Sequence, residues 1–178
     1  MNISQTGMNM NKLLNDYINH SRNFDYMSGI DRDRERQKST AEVFTPTEYV
    51  QEILDDEEKK SPDMFRDWTK TYMDNSCGDG QILSEVVIRK IGQSNCTLEQ
   101  ALSTTYGVEL MEDNVKVCKE RLQGPNPTMK IHKILDKNIV CADALTYDYG
   151  FGEPVGLEKW LGKWRALKQV ITGSREYF

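Results

Sequence analysis

Apolar residues in "MNKLLNDYINHSRNFDYM" (10–27) fall at Leu13, Leu14, Tyr17, Ile18 and Phe24, a spacing suited to one helical face. Residues 1 to about 10 are polar and read as loose. Beyond the helix, "DRDRERQKS" (31–39) contains no apolar side chain. It reads as a solvated connector or helix surface, or else as a local contact for phosphate. Its arginines alternate with acids, so much of their field cancels. In "FTPTEYVQEILDDEEKK" (44–60), Thr45 is expected to cap a helix, with Pro46 at the first helical position and Glu48 completing a Thr-x-x-Glu capping box. Val50, Ile53 and Leu54 supply its buried stripe, and Ser61-Pro62 marks a break.

The pattern then alternates between short apolar runs and helical periodicity. "DWTKTYMD" (67–74) reads as a strand, and "GQILSEVVIRKI" (80–91) as a helix turning Ile82, Leu83, Val86, Val87 and Ile91 inward. Thr97 is placed to cap a short helix. "TTYGVEL" (104–110) is a second strand and "MEDNVKVCKERL" (111–122) a second long helix. "GPNP" (124–127) makes a turn leading to a third strand in "KNIVCADAL" (137–145). Strands alternating with helices predict an α/β fold with a mostly parallel sheet. Farther on, Leu157, Trp160, Leu161, Trp164 and Leu167 mark another helical face, and a fourth strand is expected around Val170 to Thr172. Helical spacing assigns Trp160 and Trp164 to core or partner packing rather than to base stacking.

Composition narrows the setting. A chain of 178 residues with 38% hydrophobic content is long and apolar enough for one cored domain. Its net charge of -5 gives no global attraction to a nucleic acid backbone. The four cysteines, Cys77, Cys96, Cys118 and Cys141, form no CxxC pair, and the only histidines are His20 and His132. Buried thiols are therefore expected rather than a metal site. No apolar run approaches the ~20 residues of a bilayer span, and the amino end lacks a signal-peptide pattern, so an intracellular, cytoplasmic protein without membrane contact is expected.

The candidate chemistry lies where the strands end, which is where open α/β sheets bind ligands. "YMDNSCGDGQIL" (72–83) places Asp74 at the first strand exit, and Gly78 and Gly80 where a backbone can approach a ligand closely. Glu109 ends the second strand and could accept two hydrogen bonds from a ribose diol. Asp143 follows the third and could accept from an adenine amino group. The turn is neither a GxxxxGK[ST] phosphate loop nor a full GxGxxG dinucleotide fingerprint. One glycine-rich turn followed by acids after the next two strands points to a nucleoside cofactor.

"FTPTEYV", "YMDNSCGDGQIL", "YGVELMEDNVKVCKERL" and "NIVCADAL" together resemble the amino-terminal half of the catalytic domain of S-adenosylmethionine-dependent DNA adenine-N6 methyltransferases. The nearest in character are restriction-modification methylase subunits and their phage-borne relatives. The resemblance covers roughly residues 40 to 145. It implies a Rossmann-like methyltransferase fold in truncated form, with residues 1–39 as an N-terminal helical extension and charged linker, and 40–178 as the cofactor-binding domain. It implies that Phe44, Thr45 and Pro46 sit over the methionine part of S-adenosyl-L-methionine, and that Asp74, Cys77, Gly78 and Gly80 form the methionine-binding turn. Glu109 would hold the ribose hydroxyls with Leu110 packing on adenine, and Asp143 would meet the adenine amino group with Ala144 beside it. If phage-encoded, such a protein would work in the host cytoplasm.

One expected piece is missing. The family places an Asn/Asp-Pro-Pro-Tyr/Phe tetrapeptide after the Asp143 position, where it holds the flipped base. No such tetrapeptide occurs here. "NPT" (126–128) precedes the third strand, "EPV" (153–155) lacks the second proline and the aromatic residue, and "VITGSREYF" (170–178) puts Ser174 and Arg175 where the polar residue and first proline would stand. No target-recognition domain or basic stripe is evident either. DNA binding would accordingly be weak or would require a second subunit. The alternatives are a methyltransferase acting on adenine in DNA, a non-catalytic cofactor-binding protein with a protein partner, and an interaction domain whose pocket has decayed.

Overall fold

The computed structural model describes residues 3–24 and 45–151. Among these, six helices accompany three parallel strands: α1 (Ile3–Arg22), α2 (Thr47–Lys60), β1 (Tyr72–Asp74), α3 (Gln81–Ser94), α4 (Leu98–Ser103), β2 (Thr105–Glu109), α5 (Glu112–Leu122), α6 (Met129–Asn138) and β3 (Ile139–Cys141). The sheet order is β1-β2-β3, with Asp74 paired to Gly107 and Glu109 to Cys141. The parallel sheet and alternating helices agree with the expected α/β class. Phe44, the 31–39 charge run, the 157–167 helix, the fourth strand and Ser174-Arg175 lie outside the described residues.

Both crossovers run the same way across the sheet, so the right-handed rule lays α3 and α5 on one face. The main core forms between that face and the helices, from Leu83, Val87 and Ile91 of α3, Cys118 and Leu122 of α5, Leu135 of α6 and Ile139 of β3. Tyr17 brings α1 into the same core, and its hydroxyl donates to the Leu122 carbonyl at 3.3 Å. Arg22 closes the far end of α1 by donating two hydrogen bonds, at 2.7 and 2.8 Å, to the buried Glu85 carboxylate of α3. A second cluster, Val50, Leu54, Met64, Phe65 and Val86, fixes α2 against α3. Lys90 is buried, and burial pushes its ammonium down to about 8. It donates to the Lys70 and Thr104 carbonyls and so ties α3 to the segment ahead of β1.

Several expectations are corrected. Helix α1 begins at Ile3 rather than near residue 11. Once Tyr17 and Arg22 anchor its later turns, adding earlier turns avoids the nucleation cost. Leu13 stands on its exposed side, 58% accessible, whereas Leu14, Tyr17 and Ile18 turn toward the core and Phe24 lies just past the helix end. Strand β1 keeps only three of the eight expected residues. Asp67 accepts from both the amide and hydroxyl of Thr69, and its carbonyl accepts the Lys70 amide, which curls the chain into a turn before Tyr72.

The capping box at Thr45 does not form. Pro46 is itself the N-cap, in extended backbone at φ -55 and ψ 150, and its carbonyl accepts the Val50 amide. Thr45 therefore stands before the helix and Pro46 is not its first helical residue. Thr97, by contrast, caps α4 in a full capping box with Gln100. Helix α6 was not foreseen; Thr128 caps it, and Ile131 and Leu135 bury its inner face. Of the four thiols, Cys77, Cys96 and Cys118 are buried as expected, but Cys141 is exposed. No described helix is long and apolar enough to cross a membrane.

Candidate functional site at the carboxyl ends of the strands

The parallel register brings Asp74, Glu109 and the residues after Cys141 to one end of the sheet. The turn after β1 is held from two directions. The Cys77 amide donates to the Val108 carbonyl at 3.1 Å, and the Gly78 amide donates to Glu109 Oε2 at 2.9 Å. Gly78 and Gly80 have φ of 53 and 84, the left-handed region that glycine enters without steric cost. Gly80 also has no room for a side chain, since a Cβ there would stand 2.7 Å from Cys118 Sγ and 3.2 Å from Cys118 Cα. Gly80→Ala should therefore cost about 2 kcal/mol or more in a urea melt, from overpacking plus left-handed strain. Trimming the sulfur in a Gly80→Ala, Cys118→Ala double variant should recover only part of that loss, because the backbone contact and φ remain.

Cys77 contributes to this turn through its backbone. Its side chain belongs to the core, and a Cβ on Gly107 would meet its sulfur at 2.7 Å. The neighbouring Cys118 thiol, then burial, pushes the Cys77 thiol well above its ordinary range, so it stays protonated.

Glu109 is buried at the end of β2. Its Oε1 accepts from the Met111 amide at 3.0 Å and Asn114 Nδ2 at 3.1 Å, and its Oε2 accepts from Gly78. Each carboxylate oxygen offers two lone pairs, so Oε1 is filled and Oε2 has one acceptor position left. The carboxylate can therefore accept one further donor directly at Oε2. Leu110, the next residue, is 58% exposed, an apolar surface beside that acceptor.

Asp143 is exposed after β3, where its Oδ1 accepts the Leu145 amide at 2.9 Å. Ala144 lies half-buried beside it. Asp74 is half-buried, and its Oδ1 accepts the Ser76 amide at 3.0 Å. Burial, with a smaller push from the Glu109 charge, raises the Asp74 carboxyl above its ordinary 3.8 despite that hydrogen bond. The fold thus favours the protonated form, and the stability this gives is lost as pH rises from 3.8 through the raised value. A ligand cation favours the opposite form. Its affinity should climb with pH from the acid side through the same window, and Asp74→Asn should flatten that climb in calorimetric titrations.

The start of α2 is tied to the same turn. Gln81 Nε2 donates to Thr47 Oγ1 at 2.6 Å, which draws Thr45 and Pro46 toward the start of α3. The other end of that amide, Gln81 Oε1, accepts from Arg121 Nη1 at 2.6 Å. Arg121 is wholly buried. Its Nη2 and Nε donate to Asp79 Oδ2 at 2.7 Å and the Asp79 carbonyl at 2.9 Å, and its Nη1 also reaches the Ser21 carbonyl at 2.9 Å. The Phe24 ring lies 5.2 Å from the guanidinium carbon. Asp79, Gln81, Asn114 and Arg121 shape the turn and were not singled out in the sequence. The only signal there was the acid and amide framing Gly80.

Among the described residues no cluster of histidine, cysteine and acid side chains is suited to a metal ion. The chain matches no family model, no curated protein and no solved structure at a significant level.

Proposed function

We propose that this chain is an S-adenosylmethionine-binding protein of the DNA adenine-N6 methyltransferase type, with its three strands forming one wing of a Rossmann-like sheet. The observation that carries the reading is the junction of the glycine turn with Glu109. One carboxylate fixes the Gly78 amide and still offers an acceptor to a hydroxyl. The exposed Leu110 follows Glu109 in the chain, and Asp143 follows the neighbouring strand β3, an order that suits the ribose, ring and amino group of an adenosine. Asp74 lies at the other side of the turn, suited to the cationic methionine end. When bound, S-adenosylmethionine supplies a methyl group on a positively charged sulfur. The chain's own residues would hold the nucleoside, orient it and neutralise its methionine ammonium.

Calorimetry with S-adenosylmethionine should show saturable binding, with a matching rise in melting temperature. Absence of both at millimolar ligand would remove the reading. Whether a methyl group then moves to adenine is a separate matter, because the chain lacks the tetrapeptide that holds a flipped base. That absence favours a second reading, a non-catalytic cofactor-binding protein that works with a protein partner. Transfer of a labelled methyl group to unmodified duplex DNA, lost in Asp143→Ala, selects the enzyme; binding without transfer selects the second reading.

A further inference from the structure

A cavity of about 290 Å³ opens where β2 and β3 begin, away from the Glu109 turn. Its floor is half-buried: Ser103 ends α4, Tyr106 is the second residue of β2, and Ile134 comes from α6. About 10 Å of extended strand separates Tyr106 from Glu109, so the cavity is distinct from the candidate cofactor site. The loop after β3 steadies the Tyr106 ring. Phe151 packs on it at 4.8 Å, and Phe151 and Tyr149 are held in left-handed backbone at φ 44 and 56.

The rim is cationic. Lys130, Lys133 and Lys137 follow one another at spacings of three and four, which sets them along one face of α6 beside the cavity. The acid of α6, Asp136, turns aside to Lys119 of α5 at 2.8 Å, and no acid lines the cavity among the described residues. Glu99 pairs with Lys130 at 2.6 Å, whereas Lys133 makes no ion pair among the described residues. The helix dipole does not account for the row. Lys137 suits the carbonyl end of α6, but Lys130 stands in the first turn, where a cation is disfavoured. Neutral groups add no donor. Ser103 Oγ donates to the Gln100 carbonyl at 2.7 Å, the Tyr106 hydroxyl to the Ser103 carbonyl at 3.3 Å, and Asn138 Nδ2 to the Leu102 and Thr105 carbonyls at 2.9 and 3.2 Å. An anion entering here is recognised by the ammoniums alone.

We propose that this cavity is a second ligand site, which binds a small organic phosphate: a phosphate monoester on a hydroxylated body of sugar-phosphate size. The dianion meets the lysines of α6 in charge-assisted hydrogen bonds. Hydroxyls of the body donate to Ser103 Oγ, whose lone pairs remain acceptors while its own proton is engaged. Ile134 and the Tyr106 ring give the apolar surface beneath. The volume stands at the lower limit of ordinary small-molecule sites, which suits a compact ligand. A nucleic acid duplex presents its phosphates on a broad convex surface and would touch the lysines without entering the recess. The proposal is independent of the cofactor reading, since S-adenosylmethionine carries no phosphate.

The test is an amide NMR titration of the full chain with ribose 5-phosphate, inorganic phosphate and a short DNA duplex in parallel. Ribose 5-phosphate at millimolar concentration should shift the amides of Ser103, Tyr106, Lys133 and Ile134 in a saturable way, more tightly than inorganic phosphate, and the binding should weaken as salt is added. Lys133 is exposed and mid-helix, so Lys133→Ala leaves the fold intact. It should lower the affinity about three- to fivefold, and Lys133→Glu should abolish binding. Unmoved floor amides at Ser103 and Ile134 overturn the proposal, as does equal affinity in Lys133→Ala. Inorganic phosphate binding as tightly as ribose 5-phosphate shows that the floor contributes nothing, and overturns it too. Tight binding of the duplex at α6 with no response to ribose 5-phosphate replaces it with a nucleic acid contact. S-adenosylmethionine should leave the Ser103 and Ile134 amides unmoved, so the cofactor reading stands or falls on the amides of Gly78 and Leu145 alone.

Discussion

Arg121→Ala should lower unfolding stability by about 3–5 kcal/mol, the usual cost of removing one partner from a buried charged pair. Its Asp79 partner is only 4% exposed, and once stripped of the guanidinium it cannot be hydrated without opening the turn. The loss should reach further than one ion pair, because the same guanidinium holds the Ser21 carbonyl of α1 and the Gln81 amide of α3. A urea melt should show the midpoint falling, and Phe24 should lose the cation it packs against. Arg121→Lys should recover little. An ammonium is a point charge and cannot reproduce a planar fork that reaches the Asp79 carboxylate and carbonyl, Ser21 and Gln81 from fixed directions. Stability unchanged within about 1 kcal/mol in Arg121→Ala would refute this role for the pair.

The second large effect is expected at Glu109. In Glu109→Gln one oxygen becomes an NH2 donor. Three donors, the amides of Gly78 and Met111 and Asn114 Nδ2, already converge on the carboxylate. Whichever way the new amide turns, its NH2 faces at least one of them. Leaving buried donors unsatisfied costs about 1–3 kcal/mol each, so both folding and ligand binding should suffer. Affinity for S-adenosylmethionine should drop at least about tenfold, the equivalent of one charge-assisted hydrogen bond. Asn114→Ala separates the two consequences, since it releases Oε1 from one donor without touching the oxygen that faces Gly78. Equal affinity in Glu109→Gln and wild type would disprove the assignment of the ribose contact.

The framework was legible where periodicity was strong. Helix α3 announces itself through Leu83, Val86, Val87 and Ile91, all buried, and β2 through a short apolar run closed by an acid. Helix α6 is hidden in the sequence because its apolar residues, Met129, Ile131, Ile134 and Leu135, are interleaved with lysines and follow a turn of the kind that leads directly into a strand. Strand β1 was overestimated because Thr69 and Thr71 favour extended backbone in isolation, whereas Asp67 recruits Thr69 into a turn.

The candidate site divides along the same line. Acids at strand ends can be found by position alone, so Asp74, Glu109 and Asp143 stood out. Arg121 could not, since "KER" holds three charged residues of which only one turns wholly inward. The left-handed backbone at Tyr149 and Phe151 is equally silent, since nothing in "YDYGF" prescribes it.

Gln81 gives the glycine turn an unusual standing among loops. Most such loops belong to the least stable parts of a protein and open independently of the core. Here one side-chain amide reads α2 through Thr47 and α5 through Arg121, and Arg121 in turn reads α1 through Ser21. Four helices must therefore be in place before the turn takes its shape, and once they are, the turn cannot relax alone. Its geometry is inherited with the fold: whatever keeps these four helices in register also keeps Gly78 and Gly80 where they stand.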